Sequence, residues 1–286
     1  YKDGYLPAEV SFNVTVYGYD EESDWESRVI DEYYGLITHT DIALDSKGMP
    51  HIIYDTYEMK YRHWNGCFWQ EEERNASGMQ GSLIIIPDSG GYDCSLVSYN
   101  YYGILEYDVF DSNWHYLGFE SGTSVRASST NATLYYNDDL NEDIYGAGIS
   151  YYDEESGDLY FRFNPYPINN NYGEWTTPFR VDGASSNAGK SSSLAFTCDS
   201  WSNTVTAFIA YHDSSDGGSL KLAQIQIIDP LDPQPENLYI SKIDDNLVYG
   251  AEGQYVSLAV DPLSRRLHLA YYDANNKKLK YAVSSG

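Results

Sequence analysis

The amino-acid sequence predicts an all-β fold, a five-bladed β-propeller made of four-stranded antiparallel blades. Residues typical of strands and turns dominate the composition, with 30 Tyr and 23 Gly among 286 residues. A unit of short apolar strands ending in Asp repeats five times, from starts near residues 41, 82, 132, 193 and 256. The starts are about 41 to 63 residues apart, which suits propeller blades with loops of unequal length.

Two copies of this unit are especially clear. The first, DIALDSKGMPHIIYD followed by MKYRHWNGCFW, falls within residues 41–69, and the second, SLAVDPLSRRLHLAYYD followed by KLKYAV, falls within residues 257–283. Each reads as an apolar strand, a tight turn, a second strand ending in Tyr-Asp, a loop and a third alternating strand. Three looser copies occupy residues 82–117, 132–182 and 193–244. We therefore expect one domain over residues 1–286.

A fourth strand in each unit completes the predicted blade. Its position is marked by Trp69, Trp114, Trp175 and the pair Leu238-Tyr239. The fifth unit stops after three strands, and the segment Trp25–Asp31 (WESRVID) mirrors the outer strand that begins at Trp175 (WTTPFRVD). We expect Trp25–Asp31 to supply the missing strand, so that pairing of N- and C-terminal strands closes the ring and removes its open edges.

One strand is left over once five blades are complete. Residues Val10–Tyr17 (VSFNVTVY), within an N-terminal extension of residues 1–20, alternate apolar and polar side chains, as a half-buried strand does. This strand could pair with a sheet edge of its own molecule or add to the sheet of a neighbouring molecule. Both arrangements are open from the sequence, and the second would give a homo-oligomer or a fibre.

The repeat resembles a known family. Its pattern is similar to the S-x-A-x-D-x-x-G-x-P-H-I-x-Y-x-D motif, followed by L-x-Y-A and Trp, of secreted bacterial and archaeal β-propeller repeats. The match is close in residues 41–69 and 257–283 and loose in residues 82–244. Such repeats are distantly similar in shape to sialidase-like and lectin-like propellers, but the sialidase box and the WD-repeat signature are absent from this sequence. The resemblance implies a propeller architecture and an extracellular or cell-surface location; it does not fix an activity.

The net charge and the short apolar runs argue against nucleic acids and membranes as partners. The formal net charge is −26 and the pI is near 4.3, so the field of the chain repels nucleic acids and anionic membrane surfaces. No apolar run approaches the 18 or so residues of a membrane-spanning helix, so we expect no membrane insertion. The chain begins at Tyr1 without a signal segment, which we interpret as a mature or trimmed product. The three cysteines predict buried free thiols or a single disulfide.

Three sequons are compatible with an extracellular glycoprotein. They are at Asn13, Asn75 and Asn131.

The recurring aspartates raise the question of a metal site. They end the first strand of each unit (Asp45, Asp88, Asp138, Asp199 and Asp261) or the second (Asp55, Asp153, Asp213 and Asp273). Because a residue that recurs in every blade is typical of a turn-former, we expect structural roles and no cofactor, with calcium as the alternative.

The sequence favours a binding or assembly module over an enzyme. Tyrosines stack on sugar rings, and six are predicted in loops: Tyr33, Tyr34, Tyr101, Tyr102, Tyr249 and Tyr255. We therefore expect a carbohydrate or an extracellular protein as the partner. The alternative is a five-bladed glycoside hydrolase, which needs two carboxylates near the funnel. Asp41 at the entry of a first strand and Glu252 in the loop before another are the only candidates, and His39 lies nearby.

Overall fold

The computed structural model describes most of the repeat region and little of the N-terminal part. The described residues are 5–6, 29–30, 37, 39–56, 58–72, 79–87, 93–101, 104–110, 114–116, 125–137, 141–167, 175–183, 187–215, 218–230, 235–245, 247 and 255–285. Every element of regular secondary structure within these ranges is a β-strand, which confirms the predicted all-β class. No helix in the same ranges has the length and apolar character needed to span a membrane.

Twenty described strands, β1 to β20 in chain order, form five antiparallel sheets of four. The first sheet contains β2 (Thr40–Leu44), β3 (Pro50–Asp55), β4 (Met59–Trp64) and β5 (Trp69–Glu72). The second contains β6 (Met79–Ile86), β7 (Cys94–Tyr101), β8 (Ile104–Phe110) and β9 (Trp114–Tyr116). The third contains β10 (Val125–Asn137), β11 (Glu142–Asp153), β12 (Asp158–Asn164) and β13 (Phe179–Asp182). The fourth contains β14 (Ala188–Asp199), β15 (Thr204–Asp213), β16 (Ser219–Ile227) and β17 (Glu236–Asp244). The fifth contains β18 (Val256–Val260), β19 (Leu267–Asp273), β20 (Lys278–Ser284) and β1 (Tyr5–Leu6).

The strand that completes the fifth sheet differs from the predicted one. β1 pairs with β20, with Leu6 opposite Val283, so an N-terminal strand does meet the C-terminal strand. Of the predicted segment Trp25–Asp31, the structure describes only Val29 and Ile30, and both lie outside the strands. The carbonyl of Ile30 instead accepts a hydrogen bond from Arg62 Nη1 in the first sheet at 2.7 Å. This contact ties that part of the chain to β4 rather than to β20.

Alternating side chains bury both faces of the fourth sheet. Ile209 in β15 joins a core shared with the third sheet, whereas the adjacent Ala210 joins a core shared with the fifth. Gly148 in β11 allows the third and fourth sheets to approach closely, because a Cβ at this position would lie 2.4 Å from the Phe196 ring. The apolar faces of successive sheets therefore pack on each other, as in a row of propeller blades.

A repeated hydrogen bond joins the innermost strands of successive sheets. A side-chain oxygen of one inner strand accepts the backbone N–H of the next inner strand, and we call this contact the inter-sheet latch. The latches are Leu83 N to Asp41 Oδ2 (2.8 Å), Thr130 N to Ser82 Oγ (3.1 Å), Leu194 N to Ser129 Oγ (3.1 Å) and Leu258 N to Ser193 Oγ (3.0 Å). They link the five sheets in chain order.

The first and fifth sheets each leave one face exposed among the described residues. Ile42 and Leu44, which point away from the second sheet, are each 61% exposed. Leu279, on the face of the fifth sheet that points away from the fourth, is 80% exposed. Ser257, which corresponds to the latch residue Ser193, is also exposed. Closure of a five-bladed ring by contact of these two sheets therefore stays a prediction.

The first testable prediction compares these two serines. Ser193→Ala removes the acceptor of the buried Leu258 N–H, so we expect it to lower the free energy of unfolding by about 1 to 3 kcal/mol. Ser257→Ala is the matched control and should change it by less than about 0.5 kcal/mol. Urea unfolding measures both values. Equal losses in the two variants would show that Ser257 also forms a latch, as a closed ring requires.

The second prediction concerns the surplus strand Val10–Tyr17, which lies outside the described residues. Burial of an apolar side chain contributes about 1.5 to 3 kcal/mol, so replacing Phe12 and Val14 with Asp should have a measurable cost. If the strand pairs within its own molecule, the melting temperature of the monomer should fall. If it pairs with a neighbour, oligomers seen by light scattering should disappear while the monomer melts as before. No change in either property would contradict the assignment of a strand.

Candidate functional site

The recurring aspartates form turns, as the sequence predicts. Asp45 Oδ1 accepts the backbone N–H groups of Lys47 (2.9 Å) and Met49 (2.7 Å). Asp153, Asp199, Asp213, Asp261 and Asp273 bind N–H groups two or three residues further on in the same way. Asp55, by contrast, accepts the N–H of Gln80, which follows in the second sheet, at 2.5 Å. Asp88 and Asp138 lie outside the described residues. No group of three or more His, Cys, Asp or Glu suited to a metal ion occurs in the described part of the chain, and calcium binding stays a prediction.

Two lysines convert some of these aspartates into charged links between sheets. Lys221 Nζ in β16 contacts Asp213 of its own sheet and Asp182 Oδ2, which ends the third sheet, at 3.1 Å. Tyr211 donates its hydroxyl to the same Asp182 Oδ2 at 2.7 Å. These two lysines were not predicted from the sequence. In both units the sequence pattern is a Lys on the third strand. This Lys is paired with a Tyr on the second strand that lies two residues before the Asp ending that strand.

The same arrangement recurs one sheet later. Lys280 Nζ lies 2.8 Å from Asp273 Oδ2 and 2.9 Å from Asp244 Oδ2, and Tyr271 donates to Asp244 at 2.8 Å. Burial raises the pKa of the Asp273 carboxyl, but hydrogen bonds from Lys280 and Asn276 outweigh it and lower the pKa to about 2. Asp273 is therefore ionised at neutral pH, and its charge stabilises the fold.

Asp41 makes two hydrogen bonds to backbone N–H groups. Its Oδ2 is the acceptor of the first inter-sheet latch, and its Oδ1 accepts the N–H of Ile42 at 2.9 Å. Glu252 lies outside the described residues. The carbonyl of His39 accepts the backbone N–H of Asp55 at 3.0 Å. The pairing of Asp41 with Glu252 as catalytic carboxylates therefore stays a prediction.

Only one of the predicted binding tyrosines can be placed in full. Tyr255 is 66% exposed, directly before β18. Tyr101 is described as part of the backbone of β7, and Tyr33, Tyr34, Tyr102 and Tyr249 lie outside the described residues. A shared binding surface of these tyrosines therefore stays a prediction.

The structure describes one of the three sequons and all three cysteines. Asn131 Nδ2 donates to the carbonyl of Leu194 in the next sheet at 2.9 Å, so a glycan on this half-buried nitrogen would have to replace its other hydrogen. The sequons at Asn13 and Asn75 lie outside the described residues. The three cysteines are free thiols; Cys67 is exposed, Cys94 is buried and Cys198 is half-buried.

A polar cleft of about 280 Å³ lies between the fourth and fifth sheets. It is at the end of β18 opposite to Tyr255, where β18 turns into β19. The residues that line it are Thr197, Asp199, Ser202, Thr204, Thr206, Phe208, Gln224, Gln226 and Arg265. Most carry a hydroxyl, an amide or a charge, so the cleft offers both donors and acceptors of hydrogen bonds.

Strand register places these side chains on one face. Thr197, Thr206 and Gln226 lie opposite one another across β14, β15 and β16, and Phe208 lies opposite Gln224. The intervening residues of β15 point to the third sheet and are fully buried. Phe208 also packs against the core shared with the fifth sheet. The sequence TVTAFIA contains this alternation, but it does not show that the fifth sheet leaves part of the polar face uncovered.

The charged members of the cleft come from two neighbouring turns. Asp199 Oδ1 accepts the N–H groups of Trp201 (2.8 Å) and Ser202 (3.3 Å), and these bonds lower the pKa of its carboxyl. Its Oδ2 lies 3.9 Å from Arg265 Nη1, at the distance of a loose ion pair. Both side chains are about half exposed, so each can also bind a hydroxyl-rich ligand.

Comparison with known proteins bears on the fold. No family model and no curated protein matches the chain. A variant of the Aleuria aurantia lectin, solved in complex with alpha-methyl-L-fucoside, is 11% identical, with 85% of this chain and 73% of the lectin covered and a TM-score of 0.50. A second structure of this lectin, described as a six-bladed β-propeller, is 8% identical over 86% of this chain and 93% of the lectin, with a TM-score of 0.37. The chain folds as a β-propeller.

The third prediction tests the charged link between the fourth and fifth sheets. Lys280→Met leaves the buried Asp273 carboxylate with one partner fewer and should lower the free energy of unfolding by roughly 2 kcal/mol at neutral pH. The exposed Lys47→Met, which removes the same charge, is the control and should cost little.

The loss of unfolding free energy in Lys280→Met should depend on pH. Because the pKa of Asp273 is about 2 in the folded protein and about 3.9 in an unfolded chain, its ionised form stabilises the fold above about pH 4, and this contribution is lost as the pH falls through 2. The difference between the wild-type protein and Lys280→Met should shrink over that range in urea unfolding. A difference that is independent of pH would contradict this account.

Proposed function

We propose that this protein is an extracellular, non-catalytic β-propeller that binds carbohydrate, and that the cleft between the fourth and fifth sheets holds a sugar ring. The observation that carries the proposal is the lining of the cleft. Hydroxyl and amide side chains stand beside one aromatic ring and one loose ion pair, which is the chemistry that sugar hydroxyls and the apolar face of a sugar need.

The size and order of the cleft support this assignment. Its volume of about 280 Å³ suits one sugar ring better than an extended chain. The polar side chains stand on three hydrogen-bonded strands, so their positions are fixed before a ligand arrives. Such preorganisation lowers the entropic cost of binding. The ionised Asp199 accepts from sugar hydroxyls, and Arg265 donates to them.

Other observations support further parts of the proposal. The fold likeness to a lectin solved with a fucoside makes a neutral sugar a natural first probe. Membership of the secreted propeller repeat family and an extracellular location rest on the repeat motif of residues 41–69 and 257–283. We also propose a five-bladed ring, protein partners, and self-assembly through Val10–Tyr17. The non-catalytic assignment is supported by the latch contact of Asp41.

The fourth prediction tests the cleft directly. Thr206→Val removes one hydroxyl from its centre without changing the size of the side chain, and we expect it to weaken glycan binding by roughly tenfold. Thr177→Val, at an exposed position outside the cleft, is the matched control and should bind as the wild-type protein does. A glycan array that includes alpha-methyl-L-fucoside, followed by calorimetry, measures both.

Three outcomes would contradict the proposal. If the wild-type protein binds no glycan, the proposed function is wrong. Binding that is unaffected by Thr206→Val but lost on substitution of Tyr255 would move the site to the opposite end of β18. Hydrolysis of any glycan on the array would favour the glycosidase alternative instead.

A further inference from the structure

Two turns at the mouth of the cleft each expose a large apolar side chain almost completely. Trp201 is 98% exposed and lies in the turn between the lining residues Asp199 and Ser202. Leu263 is 95% exposed and lies in the neighbouring turn, which also supplies Arg265 to the cleft. Single exposed apolar residues are ordinary on protein surfaces, but two at the mouth of one polar cleft indicate a contact surface.

Hydrogen bonds hold both turns in place. Asp199 binds the backbone N–H of Trp201 at 2.8 Å, and Asp261 binds that of Leu263 at 2.9 Å. The N–H of Arg265 also donates to the carbonyl of Asp261 at 2.8 Å, which closes the second turn. The backbone below the indole of Trp201 is therefore ordered, and an aromatic ring on an ordered turn loses little conformational entropy when a ligand stacks on it.

The charges of the site indicate the class of ligand. Asp199 and Arg265 carry opposite charges 3.9 Å apart, so the cleft has no excess positive charge to neutralise an acidic sugar. The protein around it has a formal net charge of −26, which disfavours the approach of sialylated or uronic-acid glycans. A neutral glycan meets neither penalty, and its hydroxyls can bind both members of the pair.

We propose that the cleft and Trp201 together bind a neutral glycan of at least two residues, with one ring in the cleft and the next stacked on the Trp201 indole. This inference rests on the proposed function and adds the length and charge class of the ligand. The cleft accommodates one ring, and Trp201 stands outside its lining, so the second contact requires a second residue of the glycan. The apolar faces of sugar rings stack on indole in the same way as on other aromatic rings.

The fifth prediction compares ligands of different length on variants of Trp201. The wild-type protein, Trp201→Ala and Trp201→Phe are applied to an array of neutral monosaccharides, short neutral oligosaccharides, and sialylated or uronic-acid oligosaccharides. We expect Trp201→Ala to weaken oligosaccharide binding by about tenfold while monosaccharide binding stays unchanged, and Trp201→Phe to restore most of the loss. Phe68→Ala removes a different exposed aromatic side chain, in the first sheet, and should have no effect.

The outcomes separate this inference from the proposed function. If the wild-type protein binds no glycan, the proposed function itself fails and the inference fails with it. If the wild-type protein binds glycans and Trp201→Ala binds oligosaccharides equally well, only the inference is overturned. Preference for acidic over neutral oligosaccharides would also overturn it. Equal melting temperatures of the variants would show that the exposed Trp201 acts on binding rather than on folding.

Discussion

The inter-sheet latch is the contact on which the arrangement of the sheets depends. A backbone N–H at the crowded innermost strand of a sheet cannot reach water easily, and leaving it without a partner would cost more than the hydrogen bond itself contributes. A short side chain, serine in three cases and Asp41 in the fourth, accepts this N–H from the neighbouring sheet. Each latch fixes the distance and the register between two sheets, and the apolar faces then pack at that distance.

The interface between the fourth and fifth sheets contains an apolar core, a charged link and a cleft. Its middle is apolar and buried. At one end, Lys280 bridges Asp273 and Asp244 and ties the two sheets together by charge. At the other end the same faces carry Thr and Gln side chains, and a cleft remains. One interface therefore combines a stabilising link and a candidate binding site, separated by the length of a strand.

The turns link the structural and the functional parts of the molecule. An aspartate at the end of a first strand is needed to order the turn, whatever the protein binds. In the fourth sheet the same aspartate, Asp199, has a second oxygen that faces Arg265 and the cleft. Asp199 thus combines the turn role that it shares with Asp45 and Asp261 with a candidate role in binding, because the neighbouring turn supplies Arg265.

The sequence by itself determined the all-β class, the five strand units and the turn aspartates, because alternation and turn chemistry act between residues that are close in the chain. Tertiary structure decided which N-terminal segment pairs with β20, that Asp41 accepts a backbone N–H of the second sheet, and where the cleft lies. The lining of the cleft extends from Thr197 to Arg265 and becomes a site only when the fifth sheet packs on the fourth. Contacts between residues so far apart depend on how sheets stack, and the local periodicity of a strand carries no information about its neighbour in the next sheet.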